Sequence, residues 1–271
     1  MGGEIKYNPE SVIRAVRDAF PAQTGVLAAQ LAKRGVRGFA EPLEGKAGFF
    51  KMFARDNYDP DMMLNGLGDR FEINHLSFKQ WPSCRGTHVF IDLMARGLRE
   101  HRIKIEDIVR IETAGNTINR MLAEPLPNKQ QPTTSIDAKF SIPYCVAWTA
   151  VRGEPTLKSF LPDSLKNDEV IALAKKVSYA VDSAFDDSGA GMLSGRMTIV
   201  MKSGDEIVLQ GNSAPGDPEQ PLNVQMLREK FEQCCSFAVH KPNIDSIKSL
   251  ADSILSLEKS RDLESELFKY L

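Results

Sequence analysis

Arg196-Met197-Thr198-Ile199-Val200-Met201, then Lys202-Ser203-Gly204-Asp205, then Glu206-Ile207-Val208-Leu209-Gln210 reads as two short strands closed by a tight polar turn. Strands joined by a hairpin, set among segments of helical period, point to an α+β fold rather than a doubly wound parallel sheet. Working outward, Ile108 to Thr113 and Ile73 to Phe78 read as further strands. Gly86 to Glu100 carries Val89, Phe90, Leu93, Met94 and Leu98 at helical spacing. Ile136 to Val151 is helical in pattern, with Pro143 marking a kink or a restart. Val170 to Val177 reads as a helix, and Leu222 to Val239 and Ile244 to Leu257 as closing helices. Glu124 to Thr134 is a Pro- and Asn-containing loop, long enough to suggest a function. Upstream, Pro9 opens a helix that Pro21 ends; Gln23 to Lys33 and Leu43 to Ala54 are two more. The expected organisation is a helical segment over residues 1–70, an α+β domain over 71–240 and C-terminal helices over 241–271.

The 271 residues hold 34 Lys plus Arg against 36 Asp plus Glu, a formal net charge of -2. That balance calls for neither nucleic acid nor an anionic membrane as partner. No apolar run approaches the roughly 20 residues that span a bilayer, and Met1 to Lys6 has no signal-peptide pattern. Cys84, Cys145, Cys234 and Cys235 lack C-x-x-C spacing. Reduced thiols in a reducing, cytoplasmic compartment are the expectation. His75, His88, His101 and His240 form no metal-binding spacing, so no metal is expected. Gly45-Lys46-Ala47-Gly48 lacks the frame of a phosphate-cradling loop, and Gly189, Gly191 and Gly195 miss the dinucleotide spacing by one residue.

Two clusters could carry chemistry. The first is Phe78-Lys79-Gln80-Trp81-Pro82-Ser83-Cys84-Arg85-Gly86-Thr87-His88. Arg85 at a helix start can clamp a carboxylate through two parallel hydrogen bonds. His88 falls in the first turn, and Asp92, one turn later on the same face, could orient its imidazole. The plainer alternative is a capped helix with a surface arginine and a packed histidine. The second cluster is Ser135-Ile136-Asp137-Ala138-Lys139-Phe140-Ser141-Ile142-Pro143-Tyr144. Tyr144 could donate a proton or hydrogen-bond a substrate oxygen; alternatively it is a core tyrosine with a satisfied hydroxyl.

Taken together, Phe78-Lys79-x-x-Pro82-x-Cys84-Arg85-x-Thr87-His88 and Asp137-Ala138-Lys139-Phe140-Ser141-Ile142-Pro143-Tyr144 resemble the MmgE/PrpD family. That family includes 2-methylcitrate dehydratase, cis-aconitate decarboxylase and iminodisuccinate epimerase. Thr24 to Ala32, Leu43 to Phe49, Gly216-Asp217-Pro218-x-x-Pro221-Leu222 and Lys230-Phe231 extend the resemblance over roughly residues 10–240. It implies a large helical domain plus a smaller α+β domain, usually in a dimer, acting without metal or organic cofactor on small di- and tricarboxylates. It implies a catalytic role for His88 and Tyr144; Arg85 and Lys79 stand beside His88, and their reading as carboxylate-binding groups is an inference from their charge. The expected activity is that of a 2-methylcitrate dehydratase-like hydro-lyase, working by proton abstraction alpha to a carboxylate. Family members also carry most of their helical domain, with further active-site residues, before the segment matched here, and Gln23 stands where His or Lys is common. The alternative is therefore a non-catalytic fragment, or a subunit that pairs with a separate helical-domain partner. Alone, the chain is expected to show little turnover and to self-associate.

Overall fold

A computed structural model describes residues 13–186, 193–262 and 264–265. Pro9 and Val12 of the expected first helix, Gly189 and Gly191, and residues 266–271 lie outside the described residues. The chain forms two compact units that divide between His75 and Leu76.

The first unit is helical. It contains α1 (Ile13–Val16), α2 (Ala19–Lys33), α3 (Phe49–Ala54) and α4 (Pro60–Leu64). Pro21 does not end a helix as expected; it sits in the first turn of α2. The N–H groups of a first turn have no intrahelical acceptor, so proline sacrifices no bond there. The helix expected from Leu43 begins only at Phe49. Before it, Gly45 and Gly48 pack their backbones against the carbonyls of Glu41 and Leu43, where a Cβ would come within 2.5 Å of each. Phe50 is the buried residue of α3 and stacks on Tyr58 at 4.1 Å between ring centroids. Val26, Leu27, Phe39 and Phe53 are exposed. The strand expected at Ile73 to Phe78 is instead a 3-10 turn over Glu72–His75 followed by irregular chain. Alternation alone does not make a strand without a partner to pair with.

The second unit is α+β. In order it holds α5 (Arg85–Glu100), β1 (Ile108–Gly115), α6 (Leu126–Gln130), α7 (Ser135–Lys139), α8 (Ile142–Arg152), α9 (Asp168–Ala174) and β2 (Val177–Val181). The hairpin β3 (Gly195–Met201) and β4 (Glu206–Gly211) follows, then α10 (Val224–Cys235) and α11 (Ile244–Leu255). The sheet order is β2-β1-β3-β4. β3 and β4 pair antiparallel around the expected turn, and β1 pairs antiparallel with β3. β2 was not foreseen: it pairs parallel with β1, Ile111 opposite Val177. The residues expected to close a helix at Val177 instead open this strand, because α9 stops at Ala174.

Strand alternation sets the layers. Ile108, Ile111, Met197, Ile199 and Leu209 are buried, while Arg110, Glu112, Arg196 and Gln210 are exposed. α5 covers β3 and β4 so closely that a Cβ on Gly195 would lie 2.8 Å from the Phe90 ring. α8 packs beside α5, against α9 and β2. Together these elements enclose one core containing Phe90, Leu93, Ile142, Val146, Phe160 and Met197. Pro143 marks a restart, not a kink. α7 ends at Lys139, and α8 begins with Ser141 as its N-cap, the Ser141 hydroxyl accepting from the Tyr144 N–H at 3.0 Å.

Candidate active site

The start of α5 is tied to distant chain. The Cys84 N–H donates to the Lys139 carbonyl at 2.8 Å, and the hydroxyls of Ser83 and Thr87 share a bond of 2.7 Å. Two residues into the helix the backbone enters the core, so Thr87, His88 and Val89 are fully buried. Trp81 packs its ring edgewise on His88 at 5.1 Å and donates its indole N–H to Glu154 at 2.9 Å.

Arg85 and His88 meet one helical turn apart. Arg85 Nη1 lies 3.2 Å from His88 Nδ1. Arg85 Nη2 bonds the carboxylate of Asp217, whose side chain is 1% exposed. Asp217 in turn accepts from the Ser77 hydroxyl at 2.7 Å and the Ala214 N–H at 2.8 Å. The loop carrying Asp217 is locked to the chain ahead of α5. The Phe78 N–H donates to the Gly216 carbonyl at 2.8 Å. Gly216 takes φ +96°, and a Cβ there would fall 1.9 Å from the Phe78 carbonyl oxygen.

Burial is the main force on the His88 pKa, followed by the positive charges of Arg85 and Lys79. Together with Lys230 they push it down to about 3, and only a hydrogen bond with the Trp81 backbone acts the other way. His88 is therefore a neutral imidazole at neutral pH. Its Nε2 is buried and makes no hydrogen bond among the described residues. Leaving such an atom without a partner costs about 1–3 kcal/mol, which sets it apart from the paired polar groups of the core.

Lys79 is exposed, and Lys230 donates to the Gln80 carbonyl at 3.3 Å. Lys230, Gln80, Trp81, Glu154 and Met226 line a cavity of about 360 Å³. Trp81 is thus shared between that cavity and the His88 ring.

The other candidates sit elsewhere. Asp92 does not orient His88; it approaches Arg96 at 3.8 Å, and burial raises its pKa. Tyr144 is fully buried, and its hydroxyl donates to the Ser159 carbonyl at 2.7 Å, with the Ser164 carbonyl at 3.3 Å. Burial raises its pKa well above the ordinary phenol value. No hydrogen bond or ring contact joins Tyr144 to His88 among the described residues. Asp137 is taken up by Thr134 at the start of α7, and Lys139 lies over the Phe160 ring at 5.9 Å. All four cysteines are free, and the buried Cys145 thiol is pushed up to about 12. Among the described residues no group of three or more His, Cys, Asp or Glu could hold a metal ion, and no helix is long and apolar enough to cross a membrane.

The structure thus gathers Arg85 and His88, with Lys79 acting on His88 through charge, and leaves Tyr144 apart. Reasoning from residue types passed over Asp217 and Lys230 as participants. Both stood in noted motifs, Gly216-Asp217-Pro218 and Lys230-Phe231, but nothing in local spacing tied either to His88.

Comparison with known proteins agrees with these motifs. The chain is 26% identical over 280 residues to the cis-aconitate decarboxylase-like protein oryM of Aspergillus oryzae, covering 98% of this chain and 56% of the relative. It is 24% identical to a cis-aconitate decarboxylase of Aspergillus terreus, over 93% of this chain and 53% of the relative. It is 23% identical to the Homo sapiens cis-aconitate decarboxylase, over 88% and 49%. The chain therefore spans about half the length of the curated relatives it matches. The profile of the MmgE/PrpD C-terminal domain matches residues 81–253, from the Trp81 that packs on His88 to within α11, and the chain belongs to the MmgE/PrpD family.

Proposed function

We propose that this chain carries part of a lyase site for a small di- or tricarboxylate, in which charge builds up beside a carboxylate and His88 handles the adjacent oxygen or proton. The observation that carries this reading is the buried, neutral His88 with an unspent Nε2, under the combined positive field of Arg85, Lys79 and Lys230. Cations held near a site of developing negative charge stabilise an enolate-like transition state. The same groups suit loss of carbon dioxide or of hydroxide. The relatives named as cis-aconitate decarboxylases favour cis-aconitate as the first substrate, ahead of 2-methylcitrate.

The test is calorimetric binding of cis-aconitate, citrate and 2-methylcitrate to the purified chain, with product analysis by NMR. Binding of at least one that weakens about tenfold or more in Lys79→Ala supports the reading. Absence of both binding and turnover for all three rejects it. The exposed Val26, Leu27, Phe39 and Phe53 favour an assembly, either a dimer of this chain or a pairing with a helical partner. Light scattering that returns a monomer at every concentration, with no complex on adding a helical-domain segment of a relative, rejects the assembly.

A further inference from the structure

The contact between Arg85 and His88 carries more information than an ordinary hydrogen bond. A guanidinium has donors and no acceptor. Arg85 Nη1, 3.2 Å from Nδ1, can only donate, so this contact is a hydrogen bond when Nδ1 accepts, in competition with the carbonyls of Phe78 and Pro215 for the two Nη1 hydrogens. A neutral imidazole that accepts at Nδ1 carries its one proton on Nε2. The guanidinium is not free to turn away. Asp217 holds Nη2, and the carbonyls of Phe78 and Pro215 each lie 3.4 Å from Nη1. Asp217 is itself fixed by Ser77 and Ala214. Nε2, which carries the proton in that tautomer, is buried without a hydrogen-bond partner among the described residues, and the ring's hydrogen bond with the Trp81 backbone is the one influence that favours an imidazolium.

We propose that Asp217, acting through Arg85, is a positioning residue that fixes His88 as the Nε2–H tautomer, so that His88 meets its substrate as a neutral hydrogen-bond donor and not as a base. The role of the donor rests on the carboxylate reading above; the tautomer does not. The charged groups that act on the ring, Arg85, Lys79 and Lys230, are all cationic and oppose an imidazolium, as burial does. A neutral N–H can still bond a carboxylate oxygen, or an enolate oxygen as its charge develops, while its proton stays on Nε2.

The test is the tautomer itself, read by long-range proton–nitrogen correlation on the nitrogen-15-labelled chain. The signals of His88 are identified by their loss in His88→Gln. Between about pH 8 and pH 5, the expected pattern is an unprotonated Nδ1 and a protonated Nε2 that do not titrate, whereas an ordinary histidine titrates near 6.5. A proton on Nδ1, or an imidazolium in that range, overturns the proposal. In Asp217→Asn the charge is lost and the shape kept, and a mixture of tautomers is expected; an unchanged pattern removes Asp217 from the role. If circular dichroism shows Asp217→Asn unfolded, Arg85→Lys is read by the same two criteria. A chain that shows the Nε2–H pattern but binds no carboxylate keeps the positioning pair and rejects only the carboxylate reading.

Discussion

The starts of α5 and α8 bury an aromatic ring to the same degree, but they use its polar atoms differently. Both His88 and Tyr144 are 0% exposed. Tyr144 has one proton to give and gives it to the Ser159 carbonyl, its ring packed beside Trp148 and Phe160. His88 has Nδ1 beside Arg85, a hydrogen bond of its ring with the Trp81 backbone, and an Nε2 that lacks a side-chain partner among the described residues. By residue type the two were equal candidates for acid/base work. They differ in whether the backbone around them offers a partner: the Leu157–Phe160 turn supplies a carbonyl to Tyr144. A saturated buried group anchors a core, while an unsaturated one is available to a ligand.

The largest expected effect comes from removing the cation that serves His88. Arg85→Ala leaves the Asp217 carboxylate buried without its counterion. Breaking a buried pair in this way costs about 3–5 kcal/mol, which urea unfolding would register as a lower midpoint. Arg85→Ala combined with Asp217→Ala should recover part of that loss; an equal or larger loss would mean the pair is not the source.

A smaller effect is expected one residue away. Gly216→Ala forces a Cβ onto the Phe78 carbonyl in a left-handed backbone position. It should cost about 2 kcal/mol or more and disturb the His88 nitrogen signals while leaving the backbone amide signals of a region such as α8 intact. The comparison sharpens if only the α5 side responds.

The pH response is next. The unfolded chain takes up a proton at His88 near its ordinary 6.5, and the native chain only near about 3. Native stability attributable to His88 is therefore full above 6.5 and falls as the pH drops through that value. Between pH 6.5 and pH 5 the loss should be about 1.5 kcal/mol. It is read as the difference in slope between the native chain and His88→Gln, which cancels the carboxylates common to both. Equal slopes would put His88 in water.

Tyr144→Phe should do least, about 1 kcal/mol, by stripping the Ser159 carbonyl of its donor. The His88 signals should stay where they are. A fall in turnover of about 10² or more without loss of stability would reverse the comparison and give Tyr144 a catalytic part.

Legibility in the sequence followed the range of the interaction. The β3–β4 hairpin and α5 were readable because alternation, turn residues and helical period are local. The restart at Pro143 was readable as one of two options, since a proline in a first turn and a proline kink share the same residues. β2 was missed because Val177 to Val181 becomes a strand by pairing with β1, each residue with a partner 66 positions earlier in the chain. Ile73 to Phe78 had the alternation and lacked the partner. In the site, Arg85 and His88 could be paired by their spacing of three. Asp92 had spacing as good, and lost to Arg85 because Arg96 engages it instead. Asp217 could not be found by spacing at all.

The 132 positions between Arg85 and Asp217 also set a clock on biosynthesis. At roughly 5–20 residues per second, a ribosome needs roughly 7–26 seconds to make that stretch of chain. By then α5, α8 and all four strands have been translated, since β4 ends at Gly211. A nascent chain stopped just short of Asp217 would hold every residue of the sheet and its helical cover, yet its Arg85 would have no carboxylate to grip. Six residues separate the end of β4 from Asp217, roughly 0.3–1.2 seconds of synthesis, so the last strand of the core and the carboxylate that sets the histidine are delivered almost together.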